Sequence, residues 1–216
     1  MKIVVYGAGG HAKVVLDVLE KVGACTIVGL LDESVELAGD TRSGYRVLGG
    51  SAIFRGLIDE GVKGMIVALG DNVRRRAVFE AARVAGFELV SAIHPSVILG
   101  RGVTIGAGSV LVAGVVVNVD AEIGENVIVN TSASVDHDCR IGGHVHLSPG
   151  VRLAGRVTVG AFTHIGIGAV VLPNLTIGTR CIVGAGSVVR ENVPDGMVVA
   201  GNPARIIKPN ETALDL

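Results

Sequence analysis

The sequence predicts two folds in succession: a small doubly wound parallel α/β sheet, then an all-β parallel β-helix of hexapeptide repeats. From Val97 to Asn192 the chain divides into six-residue units without an insertion, and the third place of every unit is aliphatic. Before Val97, apolar strand-like runs alternate with helical patterns, which is typical of a parallel sheet with crossover helices. A short period held over so many units indicates a solenoid, because a β-sandwich has no reason to keep phase.

In the first part of the chain, strands and helices follow one another in short segments. The predicted strands are Lys2–Tyr6, Thr26–Leu31, Gly64–Leu69 and Glu88–Ile93, and the predicted helices are Lys13–Val22, Ser51–Glu60 and Val73–Ala85. The segment 45–50 reads as a connector. Arg74, Arg75 and Arg76 open the last helix, and we expect them to form a solvated face, with a phosphate contact as the alternative.

A glycine-rich turn, residues 7–12, joins the first strand to the first helix. Strand, turn and helix N-terminus together predict a phosphate cradle, since backbone N–H groups and the helix dipole both favour an anion there. Asp32 and Glu33 end the second strand, where a carboxylate can accept hydrogen bonds from a ribose, and Gly70 follows the third. Only about four strands precede the β-helix and no second mononucleotide half is visible, which favours a nucleotide-sugar over a dinucleotide.

In the hexapeptide region, three short strands close one coil of 18 residues. Each strand turns one aliphatic side chain inward. The fourth place is often Gly or Asn, and we expect it to turn the corner because these residues tolerate a positive φ. Stacked coils pair backbone to backbone and contact only their neighbours. Cys139 and Cys181 hold the small first place of their units and are interpreted as core filler.

Composition and charge exclude several classes of partner. The net charge of −1 gives no electrostatic case for nucleic acid or an anionic membrane surface. No apolar run reaches the length of a membrane span, and the apolar run at the N-terminus is too short for a signal peptide. The three cysteines do not suggest a disulfide framework. We therefore expect a cytoplasmic protein.

Histidines are concentrated in the β-helix. His146 and His164 differ by one coil, so they should stack on one face, and His144 lies at a corner, where a structural or solvated role is expected. His137 and His146 differ by half a coil, which places them on the order of 15 Å apart on opposed parts of the prism. One chain cannot bring those two together, whereas neighbouring prisms packed around a threefold axis can.

The hexapeptides, the tail from Val193 to Arg205 and the opening Tyr6-Gly7-Ala8-Gly9-Gly10-His11 together resemble the NeuD/PglD-type sugar acyltransferases. The resemblance covers essentially the whole chain. It implies a nucleotide-sugar-binding, Rossmann-like domain over residues 1–94 and a left-handed β-helix acetyltransferase domain over 95–216 with a C-terminal tail. It also implies a homotrimer with sites between subunits, acting in cell-surface polysaccharide or glycan biosynthesis.

The same resemblance implies roles for particular residues. His137 would be the catalytic base with Asp138 beside it, at a place where the family commonly has Glu. Gly155, one coil beyond His137, would supply the backbone N–H for an oxyanion. Acetyl-CoA would lie along His146 and the backbone of Ile167 and Ala185, with no metal. The sugar-nucleotide contacts would be Gly9, Gly10, His11, Asp32, Glu33 and Gly70.

The resemblance implies an acetyl-CoA-dependent N-acetyltransferase for a nucleotide-linked amino sugar of the 4-amino-deoxy type. The amine would attack the thioester directly, with a histidine as general base. Three alternatives stay open at this stage: O-acetylation of sialic acid or another sugar, a β-helix metalloenzyme of the γ-type carbonic anhydrase kind, and a catalytically silent nucleotide-sugar sensor. The histidine spacings do not resemble the zinc ligands of that metalloenzyme family.

Overall fold

The computed structural model describes residues 1–211. The chain divides into two compact units, Met1–Pro95 and the part from Ser96 onward. The last residues of the predicted second domain, 212–216, lie outside the described residues. Within residues 1–211, no helix is long and apolar enough to cross a membrane.

The first unit is a six-stranded sheet with helices. The strands of this sheet are β1 (Lys2–Tyr6), β2 (Thr26–Leu31), β3 (Thr41–Arg42), β4 (Tyr45–Gly49), β5 (Gly64–Val67) and β6 (Glu88–Leu89). A further short strand, β7 (Ala92–Ile93), follows β6 in the chain and is not part of this sheet. The helices of this unit are α1 (Gly10–Val22), α2 (Phe54–Asp59) and α3 (Asn72–Ala85), with 3-10 turns at Val35–Leu37 and Ser51–Ile53. The order β3-β4-β2-β1-β5-β6 is parallel except for the β3–β4 pair. Since β2 and β5 flank β1 on opposite sides, the sheet is doubly wound, as predicted.

Two element predictions in this unit were wrong. The connector at 45–50 is instead the strand β4, which pairs in parallel with β2 through Leu30 and Val47. Val47 is fully buried between exposed Arg46 and half-buried Leu48, so the only apolar signal was too short to indicate a strand. The last predicted strand is two short pieces, β6 and β7, separated by Val90 and Ser91.

The second unit is a parallel β-helix with three sheets, here called the first, second and third face in chain order. The first face contains Ile98–Leu99, Val116–Val117, Ser134–Val135, Arg152–Leu153, Val170–Val171 and Val188–Val189. The second face contains Thr104–Ile105, Glu122–Ile123, Arg140–Ile141, Thr158–Val159 and Thr176–Ile177. The third face contains Val110–Leu111, Ile128–Val129, His146–Leu147, His164–Ile165 and Ile182–Val183, and then the tail hairpin Met197–Gly201 and Ala204–Pro209.

The pairing register confirms a coil of 18 residues, for example Ile128 with His146 and His146 with His164. The third place forms the core, because from Leu111 to Val189 no third-place side chain is more than 3% exposed. Cys139 and Cys181 are fully buried, as expected of core filler.

The corners are built differently from the expectation. The residue with positive φ is in the sixth place of the unit, not the fourth, as at Asp120, Asp138 and Phe162. Glycine is needed in the fourth place for a different reason, which is that the backbone of the next coil lies too close for a side chain. A Cβ at Gly106 would lie 2.4 Å from the backbone N of Glu125 in the next coil, closer than van der Waals contact permits. The fifth place therefore lies at the tip of each corner, between these two constrained positions.

Candidate active site

The predicted phosphate cradle lies at the start of α1. Gly9 is the extended N-cap and Gly10 the first helical residue. A Cβ on either glycine would have no heavy atom within 4 Å, so the packing of the protein itself does not require them. Gly7 differs, because its φ of 122° and the carbonyl oxygen of Ala68, which would lie 2.8 Å from a Cβ, demand glycine for the turn after β1. Space is thus left open in front of the helix N-terminus, where backbone N–H groups lack intrahelical partners.

Asp32 and Glu33 shape the loops at the carboxyl end of β2. Asp32 accepts the backbone N–H of Ala8 at 3.1 Å and that of Ser34 at 3.0 Å. Glu33 accepts the N–H of Ser51 at 2.9 Å and the hydroxyl of Tyr6. Through these hydrogen bonds, Asp32 and Glu33 hold the surrounding loops in place, and both residues also line a cleft at this edge of the sheet.

The Tyr6–Glu33 hydrogen bond changes both acidities. It is the main reason that the pKa of Glu33 lies below its usual range. Burial, followed by the same hydrogen bond, raises the pKa of Tyr6. The two side chains line a cleft of about 160 Å³ together with Asp32, Leu69, Arg74, Ala77 and Val78. Sequence reasoning missed Tyr6 as a lining residue, although it stands at the end of β1, and it considered Arg74 only as part of the arginine run, with a phosphate contact as the alternative to a solvated face.

The arginine run at the start of α3 forms the expected solvated face only in part, because Arg74 is exposed and Arg76 half-buried whereas Arg75 is not accessible to solvent. Arg75 is fully buried and donates to the carbonyl oxygens of Leu69 and Gly70, both at 3.2 Å, and to Asn72 at 2.8 Å. Arg75 therefore fixes the loop that contains Gly70. Burial, and then the charge of Arg75, lowers the pKa of His11 to about 4, so this imidazole is neutral at neutral pH.

In the second unit, His137 and Asp138 occupy the fifth and sixth places of a corner after the first face. The positive φ of Asp138, 59°, turns its side chain back, and Oδ2 lies 2.7 Å from Nδ1 of His137. The shorter Asp thus reaches the imidazole. Asp136 accepts the backbone N–H of His137 at 2.8 Å and also the Asn118 amide at 2.9 Å. Since a carboxylate only accepts, Nδ1 carries the hydrogen and Nε2 keeps its lone pair in the neutral ring.

Gly155 lies one coil further along the same corner. A Cβ at this position would be 2.5 Å from Nε2 and 2.6 Å from Cε1 of His137, so only glycine leaves room for the ring. Within residues 1–211, the N–H of Gly155 donates no hydrogen bond. An imidazole lone pair and an unused backbone donor are therefore adjacent.

Ile167 and Ala185 hold the fifth place of the corner after the third face, one coil apart. Among the described residues, neither N–H donates a hydrogen bond. Ile167 is 61% exposed although it is a large apolar residue. This exposed corner therefore carries two backbone donors, one coil apart, beside apolar surface, which suits an extended ligand with amide carbonyls.

His146 and His164 stack on the third face, as expected, with ring centroids 4.7 Å apart. His144 is buried at a different corner, where its ring stacks on Phe162 at 4.9 Å and its Nδ1 lies 2.9 Å from the amide nitrogen of Asn126. The chain therefore brings His137, Asp138 and Gly155 together but leaves His146 on another part of the prism.

Two family models match the chain. The PglD N-terminal domain model matches residues 2–82, and the bacterial transferase hexapeptide model, with six repeats, matches residues 156–191. No curated protein matches the sequence.

Several solved structures are similar over almost their whole length. One is a mutant of perosamine N-acetyltransferase from Caulobacter crescentus in complex with CoA and GDP-perosamine, with 41% identity, 96% of this chain and 97% of that chain covered, and a TM-score of 0.92. Another is the acetyltransferase domain of PglB from Neisseria gonorrhoeae in complex with acetyl coenzyme A. Its sequence identity is 38%, the match covers 95% of this chain and 98% of that chain, and the TM-score is 0.88. A third is WeeI from Acinetobacter baumannii, with 31% sequence identity, 96% of this chain and 100% of that chain covered, and a TM-score of 0.85.

The fold, the geometry of the corner and these relatives together show the class of the protein, which is a hexapeptide-repeat acetyltransferase with a left-handed β-helix. The chain belongs to the NeuD/PglD-type sugar acetyltransferases.

Proposed function

We propose that this chain is an acetyl-CoA-dependent N-acetyltransferase acting on a nucleotide-linked amino sugar of the 4-amino-deoxy type. The observation that carries the proposal is the corner at which Nε2 of His137 lies against Gly155 while Asp138 holds Nδ1. The ligands of the similar structures, CoA with GDP-perosamine and acetyl-CoA alone, support the same chemistry. We also place the enzyme in the cytoplasm, in the biosynthesis of cell-surface polysaccharide or glycan.

In the proposed reaction, the sugar amine attacks the thioester carbonyl of acetyl-CoA while Nε2 of His137 accepts a proton from nitrogen. Asp138 stabilises the imidazolium that results. The unused N–H of Gly155 donates to the oxyanion of the tetrahedral intermediate. When the C–S bond breaks, the acetyl group stays on nitrogen as an amide, and the proton on His137 passes to the sulfur of CoA.

We assign the two substrates to different units. The first unit binds the sugar nucleotide, with the diphosphate at Gly9, Gly10 and His11 and the nucleoside toward Asp32, Glu33 and Gly70. In the second unit, the N–H groups of Ile167 and Ala185 donate to the pantetheine of acetyl-CoA, and His146 lies near the thioester.

Free-thiol release from acetyl-CoA tests the proposal. The purified protein should release thiol with one member of a panel of UDP-, GDP- and dTDP-linked amino sugars and not with matched hydroxyl sugars. Thiol release with free sialic acid alone would indicate O-acetylation instead. No release with any member, together with sugar-nucleotide binding, would indicate a silent sensor.

Gly10→Val tests the proposed phosphate cradle. Because nothing lies within 4 Å of a Cβ at Gly10, the variant should fold, and the side chain should instead obstruct the ligand phosphate. The KM for the sugar nucleotide should rise at least tenfold while the KM for acetyl-CoA stays within twofold. Gly56→Val is the matched control, since Gly56 is also helical with an open Cβ position, and it should change neither value. Equal weakening of both substrates by Gly10→Val would contradict the assignment.

We propose a homotrimer, because the residues assigned to the acetyl transfer lie on different parts of one prism. His137 is at the corner after the first face, whereas His146 is on the third. Light scattering on the purified protein should give about three chains per particle. A monomer with full activity would contradict a site shared between subunits.

A further inference from the structure

Asn130 is the fourth-place residue between the third face and its corner, and its amide orientation is fixed by a neighbour. The backbone N–H of Thr131 donates to Oδ1 of Asn130 at 2.8 Å, and the Thr131 hydroxyl lies 3.3 Å from the same oxygen. A backbone N–H can only donate, so the oxygen of the amide must face Thr131. The NH₂ group consequently faces the other way, toward Nε2 of His146 at 3.3 Å.

That orientation determines the hydrogen-bonding state of His146. An amide NH₂ can only donate, so Nε2 of His146 must accept with its lone pair. The ring then has its hydrogen on Nδ1 and is neutral, because the imidazolium would set an N–H against an N–H. The tautomer of the neighbouring His164 ring is not determined by its hydrogen-bond partner. His164 meets the hydroxyl of Ser148 at 2.9 Å, and a hydroxyl both donates and accepts.

The two histidines of the acetyl-transfer machinery thus have partners of opposite character. His137 has a carboxylate acceptor at Nδ1, which leaves a lone pair at Nε2 for a proton. His146 has an amide donor at Nε2, which occupies the lone pair and leaves a hydrogen on Nδ1.

We propose that Asn130 is a positioning residue that holds His146 as the neutral Nδ1–H tautomer, so that His146 is a hydrogen-bond donor to a carbonyl oxygen and not a second proton acceptor. This inference rests on the proposed function for the identity of that carbonyl, the thioester of acetyl-CoA. The tautomer is argued from the contacts of Asn130 with Thr131 and His146 and does not depend on the identity of that carbonyl.

Nitrogen-15 NMR of the histidine rings in the intact, wild-type protein tests the tautomer directly. Two-bond proton–nitrogen correlations distinguish Nδ1–H, Nε2–H and imidazolium rings, and His146→Gln identifies the signals among the six histidines. We expect His146 to be the neutral Nδ1–H form at pH 7, with or without CoA. An Nε2–H or imidazolium signal for His146 in the wild type would overturn the proposal.

Asn130→Asp is the informative variant, because it keeps the shape and replaces the donor at His146 by an acceptor. His146 should change to the Nε2–H or imidazolium form, and the catalytic efficiency with acetyl-CoA should fall about tenfold, the factor that one hydrogen bond represents. Ser148→Ala, the equivalent position one coil later, should leave the His146 signal unchanged. A His146 ring that stays Nδ1–H in Asn130→Asp would show that Asn130 does not set it.

The two proposals fail in distinguishable ways. If the wild type shows the predicted tautomer but no acetyl transfer to any amino sugar, the proposed function is wrong and the role of Asn130 stands. If acetyl transfer occurs and His146 is Nε2–H, the role of Asn130 is wrong.

Discussion

Replacing His137 by Asn is expected to lower kcat by about 10²–10⁴, the usual range for losing a positioned general base. The variant removes the Nε2 lone pair that lies against Gly155 and leaves the core intact, because His137 is a half-exposed corner residue outside the aliphatic column. KM for both substrates should stay within about threefold. Steady-state thiol release with each substrate varied in turn measures all three quantities.

Val119→Asn is the matched control for that variant. Val119 occupies the same corner one coil earlier and is 42% exposed, so the same side chain is introduced into the same backbone setting. Its kcat should remain within twofold of wild type. If His137→Asn keeps more than about a tenth of the wild-type kcat, His137 is not the base.

Replacing Gly155 by Ala should lower kcat by about 10², because a displacement of about 1 Å in a catalytic group has an effect of that size. The added Cβ would lie 2.5 Å from Nε2 of His137, so the imidazole must move away from the N–H of Gly155. Backbone strain is not the cause, since Gly155 is not among the residues with positive φ. Sugar-nucleotide binding and the free energy of unfolding should change little.

Gly143→Ala is the control that separates this steric effect from a general effect of alanine at a corner. Gly143 is also in the fifth place, and its Cβ would make only ordinary contacts of 3.5 Å with Glu125. It should retain full kcat. A Gly155→Ala enzyme with wild-type kcat would mean that the His137 ring does not need its observed position.

The sequence predicts the β-helix well because the core position is repeated in every hexapeptide. An aliphatic residue in the third place, such as Leu111 or Val189, predicts a buried position, and the structure buries both. Three six-residue units per coil then give the 18-residue pairing register. The corners were less predictable, since Gly and Asn are favoured both by positive φ and by close backbone approach. The structure separates the two causes: Asp138 has the positive φ, and Gly106 leaves room for the next coil.

The candidate site was predictable in part for a similar reason. The one-coil spacing of His137 and Gly155 is visible in the sequence, and the structure brings them into contact. The buried state of Arg75 had no sequence signal, because its charged neighbours suggest solvent and its partners are backbone carbonyls. The amide orientation of Asn130 likewise depends on contacts with the next residue, Thr131, and with His146 in the next coil.

The central claim, direct transfer of acetyl from CoA to a sugar nitrogen, is tested by following radiolabelled acetyl. The protein is incubated with acetyl-labelled acetyl-CoA, first alone and then with the nucleotide amino sugar that releases thiol, and each fraction is treated with hydroxylamine. We expect no label on the protein and all transferred label in the sugar product as a hydroxylamine-stable amide. Label on the protein, or a hydroxylamine-labile ester in the product, would contradict the account.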